Sequence, residues 1–268
     1  MNLTKLHEQV LFSQVRVKTD KAGGSGTIIY SKPNDKTEFS TYAISCHHVI
    51  DDAIIVKKEW SSKLGVERKK EYRQIVTVEF FDYSNVSHGS RPVNYSVDAE
   101  IVAYDKDHDM ALLKLRTVKP AAYIAPLMLP GDEKVLVVGS PTVAVGAAML
   151  HDPIVTSGFI THMGDEIDYK TYWMSNAQII FGNSGGAMFA DTADGYKFIG
   201  IPSRVAVAGW GSAVTHLGYF SPITRVYEFF DEQSFHFLVP GSTHTEAECA
   251  VEIKQAREAA EKTLANSD

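Results

Sequence analysis

A succession of short β-type runs, each cut off by turn residues, restricts this chain more than any other feature. Val15-Arg16-Val17-Lys18 alternates apolar and basic side chains, and further runs follow at residues 27–30, 41–45, 53–56, 75–81, 97–104, 110–115, 134–139, 153–163, 172–174, 187–190 and 198–201. Between them stand Ser31-Lys32-Pro33-Asn34-Asp35, Ser87-His88-Gly89-Ser90 and Asp194-Gly195, residue types that turn the backbone. Many short strands with turn signals between them predict an all-β sandwich or barrel. Helical spacing is confined to the ends. Leu3, Leu6, Val10 and Leu11 predict a short lead-in helix, and residues 223–230 a short helix after the last strands. Thr245 with Glu248 forms a capping box ahead of Cys249, Ile253, Ala256, Ala260 and Leu264, so a helical tail is expected beyond Gly241. Docking onto the domain is its expected role, with self-association through residues 242–268 second.

Composition narrows the partners. A hydrophobic share of 44% over 268 residues is that of an ordinary globular protein. The net charge of −7 weighs against nucleic acid, whose binding needs Lys and Arg to neutralise phosphates. No apolar run reaches bilayer-spanning length, so no membrane partner is expected. Met1 to Val10 lacks a basic segment followed by an apolar one, and the expected compartment is the cytoplasm. The two cysteines, Cys46 and Cys249, lie far apart in sequence, which fits a reducing compartment or a scaffold that does without disulfides. Cys46 sits in an apolar run and is expected to be a buried, inert thiol. The Lys- and Arg-rich stretch from Lys57 to Arg73 is expected to be a solvated loop or hairpin tip.

Chemistry concentrates in Gly182-Asn183-Ser184-Gly185-Gly186, which sets one serine among glycines where the backbone can turn sharply. Two backbone N–H groups of such a turn can converge on the oxyanion formed when a carbonyl is attacked. A serine also needs a base and an acid to orient it. Tyr42 to Ile50 reads as an apolar strand delivering a histidine at its end, and Asp109 stands just before the apolar run Met110 to Leu115. His47 rivals His48, and Asp105 and Asp107 rival Asp109. Only Asp109 abuts the apolar strand, so the other two read as turn residues. The remaining histidines, His88, His151, His162, His216 and His244 among them, show no metal-ligand spacing with cysteines, and neither metal nor cofactor is expected.

The order His, Asp, Ser is one of several in which the catalytic triad occurs. Gly24-Ser25-Gly26-Thr27-Ile28-Ile29, Ser45 to Ile50, Asp109 to Leu113 and Phe181 to Ala187 together resemble four blocks of the trypsin-like serine peptidases. The likeness is strongest to the bacterial HtrA-type branch, and Val155-Thr156-Ser157-Gly158 extends it into the second half. It covers residues 15–235, and nothing in the chain resembles the PDZ domain that commonly follows in that branch. The resemblance implies two six-stranded antiparallel β-barrels with short terminal helices: a lead-in over 1–14, barrels over 15–122 and 123–235, and a helical tail over 236–268. The barrels would join near Pro120 to Pro130.

By the same resemblance the base is His48, which precedes the aliphatic pair Val49-Ile50. Asp109 orients it, Ser184 attacks, and the N–H groups of Gly182 and Ser184 form the oxyanion hole. Gln178, with Asn176 and Ile179 close by, would form the base of the primary specificity pocket, with Phe181 beside the nucleophile. Ser203-Arg204-Val205 would pair with the substrate backbone, and Gly218 would line the pocket wall. No carboxylate stands at the base, so an uncharged substrate side chain is expected. Arg204 would favour an acidic neighbour in the substrate. The implied activity is serine endopeptidase on a protein or peptide, in a bacterial or viral setting. A catalytically silent peptide-binding module and an esterase are the rival readings.

Overall fold

Strand pairing sorts the runs into two closed barrels in the computed structural model, which describes residues 3–61, 66–83, 93–209 and 211–266. In chain order the strands are β1 (Gln14–Lys18), β2 (Gly23–Pro33), β3 (Phe39–Ser45), β4 (Ile54–Ser61), β5 (Val66–Arg73), β6 (Val76–Asp82), β7 (Val93–Asp105) and β8 (Met110–Leu115). The second half adds β9 (Pro141–Gly146), β10 (Ile154–Ile167), β11 (Lys170–Ser175), β12 (Ala187–Thr192), β13 (Gly195–Ala208) and β14 (Ser212–Pro222). The first barrel closes in the order β1-β2-β3-β8-β7-β6 and the second in the order β10-β11-β14-β13-β12-β9, with every pair antiparallel. Closure leaves neither sheet with open edges along its full length. The connection between barrels includes Pro120, Pro126 and Pro130, and it clings to both through Ala125 N–H to Ile28 O (2.8 Å) and Met128 N–H to Phe198 O (3.1 Å).

Both faces of several strands are covered, which explains their continuous apolar runs. In β3 and β8 one face fills the first barrel with Ala43 and Leu113. The other face carries Ile44, Leu112 and Tyr42, whose ring meets Phe237 at 5.4 Å. Helical segments supply this outer cover: α1 (Leu3–Leu6) with a wider turn at His7–Leu11, α2 (His47–Ile50), α3 (Ile223–Glu232), a 3-10 turn at His236–Leu238 and the longer α4 (Glu246–Asn266). In α3, Ile223, Val226, Phe229 and Phe230 are wholly buried at helical spacing. The capping box of α4 forms, with Thr245 N–H on Glu248 Oε2 at 2.7 Å and Glu248 N–H on Thr245 Oγ1 at 3.2 Å. The first turns of α4 dock on the first barrel. Cys249 is fully buried, and the Glu246 carboxylate accepts bonds from Tyr42 Oη (2.6 Å) and Lys114 Nζ (2.5 Å). Among the described residues no helix is long and apolar enough to cross a membrane.

Three expectations need correction. The run at 134–139 is not a strand: Asp132–Val135 forms one 3-10 turn, and Val135, Val137 and Val138 face solvent. Gly131 and Gly139, at φ of 94° and 97°, bend the chain on either side, and Val137 N–H bonds Ser140 Oγ rather than a neighbouring strand. The strand leading to His48 ends at Ser45, and the histidine comes from the single helical turn α2. Finally, β5, β9 and β14 carry no run of their own in the sequence reading. Charged β5 exists because β4 pairs with it from Ile54↔Arg73 to Ser61↔Val66, making the basic stretch an exposed two-stranded hairpin. The turn expected at 87–90, with His88, lies outside the described residues.

Candidate active site

Barrel register brings the first two functional side chains together. Ser45 at the end of β3 pairs with Ala111 at the start of β8, so the residues just beyond, His48 and Asp109, meet. His48 Nδ1 lies 2.7 Å from Asp109 Oδ2, and the His48 backbone N–H donates to Asp109 Oδ1 at 2.9 Å. That second bond satisfies an amide that the first turn of α2 leaves without an intrahelical partner. With both carboxylate oxygens engaged, the ring is fixed and Nε2 is the nitrogen available to a reacting group. Asp109 adopts φ of 58°, a conformation aspartate tolerates better than most residues.

The turn before it is tightly organised. Asp105 Oδ1 accepts the N–H groups of Asp107 (2.8 Å) and His108 (3.0 Å), while Oδ2 faces His108 Nδ1 (2.7 Å) and Arg225 Nη2 (3.0 Å) on α3. Burial pushes the Asp105 carboxyl up, but the bonds from His108 and Arg225 outweigh it and hold the group below its ordinary value. Asp105 is therefore a turn organiser, and Asp107 is exposed. His47 is buried against Tyr104 at 5.1 Å, and desolvation lowers its pKa despite Asp51 at 3.5 Å. It points away because α2 turns, not because a strand alternates.

Ser184 arrives on a loop between β11 and β12 whose shape depends mainly on backbone groups, with the Asn183 side chain among the few exceptions. Asn183 bridges Ile180 in both directions at 3.0 Å, and Gly186 N–H returns to Asn183 O at 2.9 Å. The loop presses into the first barrel. Ser25 N–H bonds Ser184 O at 2.9 Å, and a Cβ on Gly185 would lie 2.3 Å from Ser25 O and 2.8 Å from Cys46 N. A Cβ on Gly24 would meet Val49 at 2.5 Å and Ser184 O at 3.0 Å, so only glycine fits between the helix of His48 and the serine.

The peptide before the nucleophile is held by its carbonyls. Phe181 O accepts Met149 N–H at 2.7 Å, and Gly182 O accepts Ser25 Oγ at 2.6 Å, which in turn accepts Ala147 N–H at 2.7 Å. A trans peptide points its N–H opposite its carbonyl, so the Gly182 N–H faces away from Met149. Neither the Gly182 nor the Ser184 N–H has an acceptor among the described residues. Ser25 carries no sign of this role in its residue type, and only its place in Gly24-Ser25-Gly26 marks its position.

His48, Asp109, Lys106, Lys170, Ser203 and Arg204 line one cleft of about 440 Å³. A larger cavity of about 710 Å³ lies beneath α4, away from these groups. On the cleft wall, residues 203–208 of β13 pair only with β14 among the described residues, because β12 stops at Met188↔Gly200 and Pro202 O is taken by Gly185 N–H at 3.1 Å. Their other edge is open to an added strand. The register slips at Ser203, whose buried Oγ has no partner among the described residues, and Val205 sits opposite Gly218. Arg204 bonds Asp168 Oδ2 at 3.1 Å and lies over the Tyr172 ring at 5.3 Å.

Of the residues expected at the pocket base, Asn176 Oδ1 accepts Phe159 N–H at 2.7 Å and the Gln178 side chain is exposed. The buried residue there is Ile179, 2.6 Å from where a Gly218 Cβ would stand. Phe181 is exposed beside the serine.

Cys46 Sγ lies with His48 and Asp109 in the one group of three possible metal-ligand residues among the described residues. A metal would need the thiolate, yet full burial and the neighbouring Asp109 charge push this thiol well up. It would also have to break the His48–Asp109 bond.

A family model described as a trypsin-like peptidase domain matches residues 24–201. No curated protein matches the chain. Among solved structures, Deg5 is similar at 21% identity and a TM-score of 0.57, covering 84% of this chain and 90% of that one. The MamO protease domain from Magnetospirillum magneticum is similar at 18% identity and a TM-score of 0.56, over 83% and 98% of the two chains. A serine endoprotease from Yersinia pestis aligns at 17% identity and a TM-score of 0.57, over 90% and 68%. These identities speak for the fold.

Proposed function

Because the chain belongs to the trypsin-like peptidase family, we propose that it is a serine endopeptidase of the HtrA type with the triad His48, Asp109 and Ser184. The observation that carries the proposal is the His48–Asp109 pair at 2.7 Å beside a serine turn with two N–H groups that have no acceptor among the described residues. In this reading His48 Nε2 takes the Ser184 hydroxyl proton as Oγ attacks the substrate carbonyl. Asp109 fixes the tautomer and stabilises the imidazolium, without itself taking the proton. The tetrahedral oxyanion receives the N–H groups of Gly182 and Ser184. His48 then protonates the leaving amine, and water repeats the sequence on the acyl-enzyme.

The substrate adds as a strand along Ser203-Arg204-Val205, where backbone bonds supply affinity and pockets supply choice. Ile179 and Gly218 make the primary pocket apolar, which suits an uncharged side chain; Asn176 and Gln178 border it, and Phe181 offers an outer apolar contact. Cytoplasmic residence belongs to the same proposal, resting on two buried, unpaired cysteines.

A fluorophosphonate probe read by intact mass tests the chemistry. One adduct on the wild type, absent from Ser184→Ala and from His48→Ala, is the expected result. A folded wild type that takes no label would overturn it in favour of a silent binding module, and cleavage of esters but not amides would favour an esterase.

A further inference from the structure

We propose that Arg16 is a positioning residue that holds the oxyanion hole in working form, by clamping the turn at residues 147–150 against the Phe181–Gly182 peptide. The inference rests on the reading that the Gly182 and Ser184 N–H groups receive the oxyanion.

Arg16 lies on β1 of the first barrel, where alternation with Val15 and Val17 would suggest a solvent-facing side chain. Its side chain is only 10% exposed. Burial of a guanidinium demands partners for its donors. Glu79, directly opposite on β6, takes Nε at 2.6 Å and lies 2.5 Å from Nη2. Lys18 Nζ secures the other Glu79 oxygen at 2.7 Å, and the guanidinium lies over the Phe81 ring at 5.2 Å. Glu79 thus fixes one edge of the planar fork and Phe81 its face. The remaining edge is aimed across the barrel interface, where Nη1 donates to Leu150 O at 2.6 Å.

The receiving turn is one that a free chain abandons. Met149 and Leu150 both take left-handed conformations, at φ of 52° and 59°, and neither is glycine. Such residues persist only where surroundings over-determine them. Two ties hold this turn from the first barrel: Arg16 on Leu150 O, and Ser25 Oγ on Ala147 N–H at 2.7 Å. What the strained turn delivers is the Met149 N–H, placed 2.7 Å from Phe181 O. That bond decides which way the Phe181–Gly182 peptide faces. Glycine at 182 permits the peptide to rotate. With the turn released, the carbonyl is free to swing toward the nucleophile, where it would repel an oxyanion that the N–H should bind. The clamp thereby adds to the bonds of Ser25 on Ser184 O and Gly182 O in coupling the two barrels at the backbone of the catalytic loop.

The test compares wild type, Arg16→Met and Arg16→Lys on one peptide amide substrate, with Glu79→Gln as a second route to the same contact. Folding is checked by thermal melting. Expected is a fall in kcat of about 100-fold for Arg16→Met, the scale of losing one oxyanion donor, with KM within about twofold. Affinity for a peptide boronic acid, whose tetrahedral adduct uses the hole, should fall in parallel while a non-covalent product peptide binds as before. Arg16→Lys, which offers a point charge in place of the fork, and Glu79→Gln should fall between. Should Arg16→Met fail to fold, these two carry the comparison. Unchanged kcat and boronate affinity in folded variants would overturn the inference alone. Absence of any labelling or turnover in the wild type would overturn the catalytic reading and the inference with it.

Discussion

His48 and Asp109 are held by side chains, whereas the turn around Ser184 is held by backbone amides and carbonyls. On the first side, each contact is made by a residue type suited to it: a carboxylate takes both the ring and an amide, and Asp105, His108 and Arg225 brace the preceding turn. On the second side almost any residue could supply the amide that Met149 gives to Phe181. Only Ser25 and Asn183 contribute chemistry of their own, and the glycines contribute the lack of it. A side-chain half fails by losing a functional group, and a backbone half fails by losing a shape.

Substitutions can separate these modes. The largest effect is expected from Asp109→Asn, which keeps the shape of the side chain but favours the wrong histidine tautomer, with a fall in kcat of about 10⁴-fold and little change in melting temperature. Gly182→Ala attacks the other half. Its Cβ would lie 2.5 Å from Ala147 O at φ of 94°, so kcat should fall about 10²- to 10³-fold with a loss of stability. If Gly182→Ala left kcat intact, the backbone half would not be the sensitive one.

Ser25→Ala is expected to be milder. It strips partners from Gly182 O and Ala147 N–H at once, costing about 1–3 kcal/mol for the buried groups left unpaired, read as a lowered denaturation midpoint.

The smallest effect concerns α4, which stands outside both halves. Burial pushes the Glu246 carboxyl up, but Lys114, Tyr42 and Ser40 outweigh it and hold its pKa below the ordinary value. A depressed folded-state pKa means that the docked tail binds fewer protons than the free one. Its contribution is therefore complete above the ordinary carboxylate range and is lost as pH falls through the depressed value. Protection factors over 246–253, taken against the pH-dependent intrinsic exchange rate, should fall between pH about 7 and about 3 before those of the barrels do, and Glu246→Gln should remove most of that dependence. Simultaneous loss everywhere would contradict it.

Much of this was legible in the chain. Short runs between turn residues announced an all-β fold because a strand's period and its punctuation are local. Met110–Leu115 came out of the sequence with the bounds it has in the structure. The capping box at Thr245 was equally readable, since both partners lie three residues apart. The run at 134–139 misled because apolar residues signal burial without saying that a partner strand is within reach, and here glycines turn the chain out to solvent. The opposite error hid β5, whose charges conceal a strand that exists only through β4. Arg16 was hidden for a similar reason: alternation gives the face of a strand, not whether a second barrel covers it.

By itself, then, the sequence determined the types of group on hand. Gly182-Asn183-Ser184-Gly185-Gly186, His48 before two aliphatic residues and Asp109 before its strand are local patterns whose chemistry follows from residue type and short spacing. The tertiary structure alone decided how they meet. Ser45↔Ala111 register brings histidine to aspartate, the Met149 N–H sets the direction of the Phe181–Gly182 peptide, and Ile179 rather than Gln178 turns inward beside Gly218. The reason is that backbone hydrogen bonds between distant segments are made by groups every residue carries, so no residue letter records them until the fold has brought the segments together.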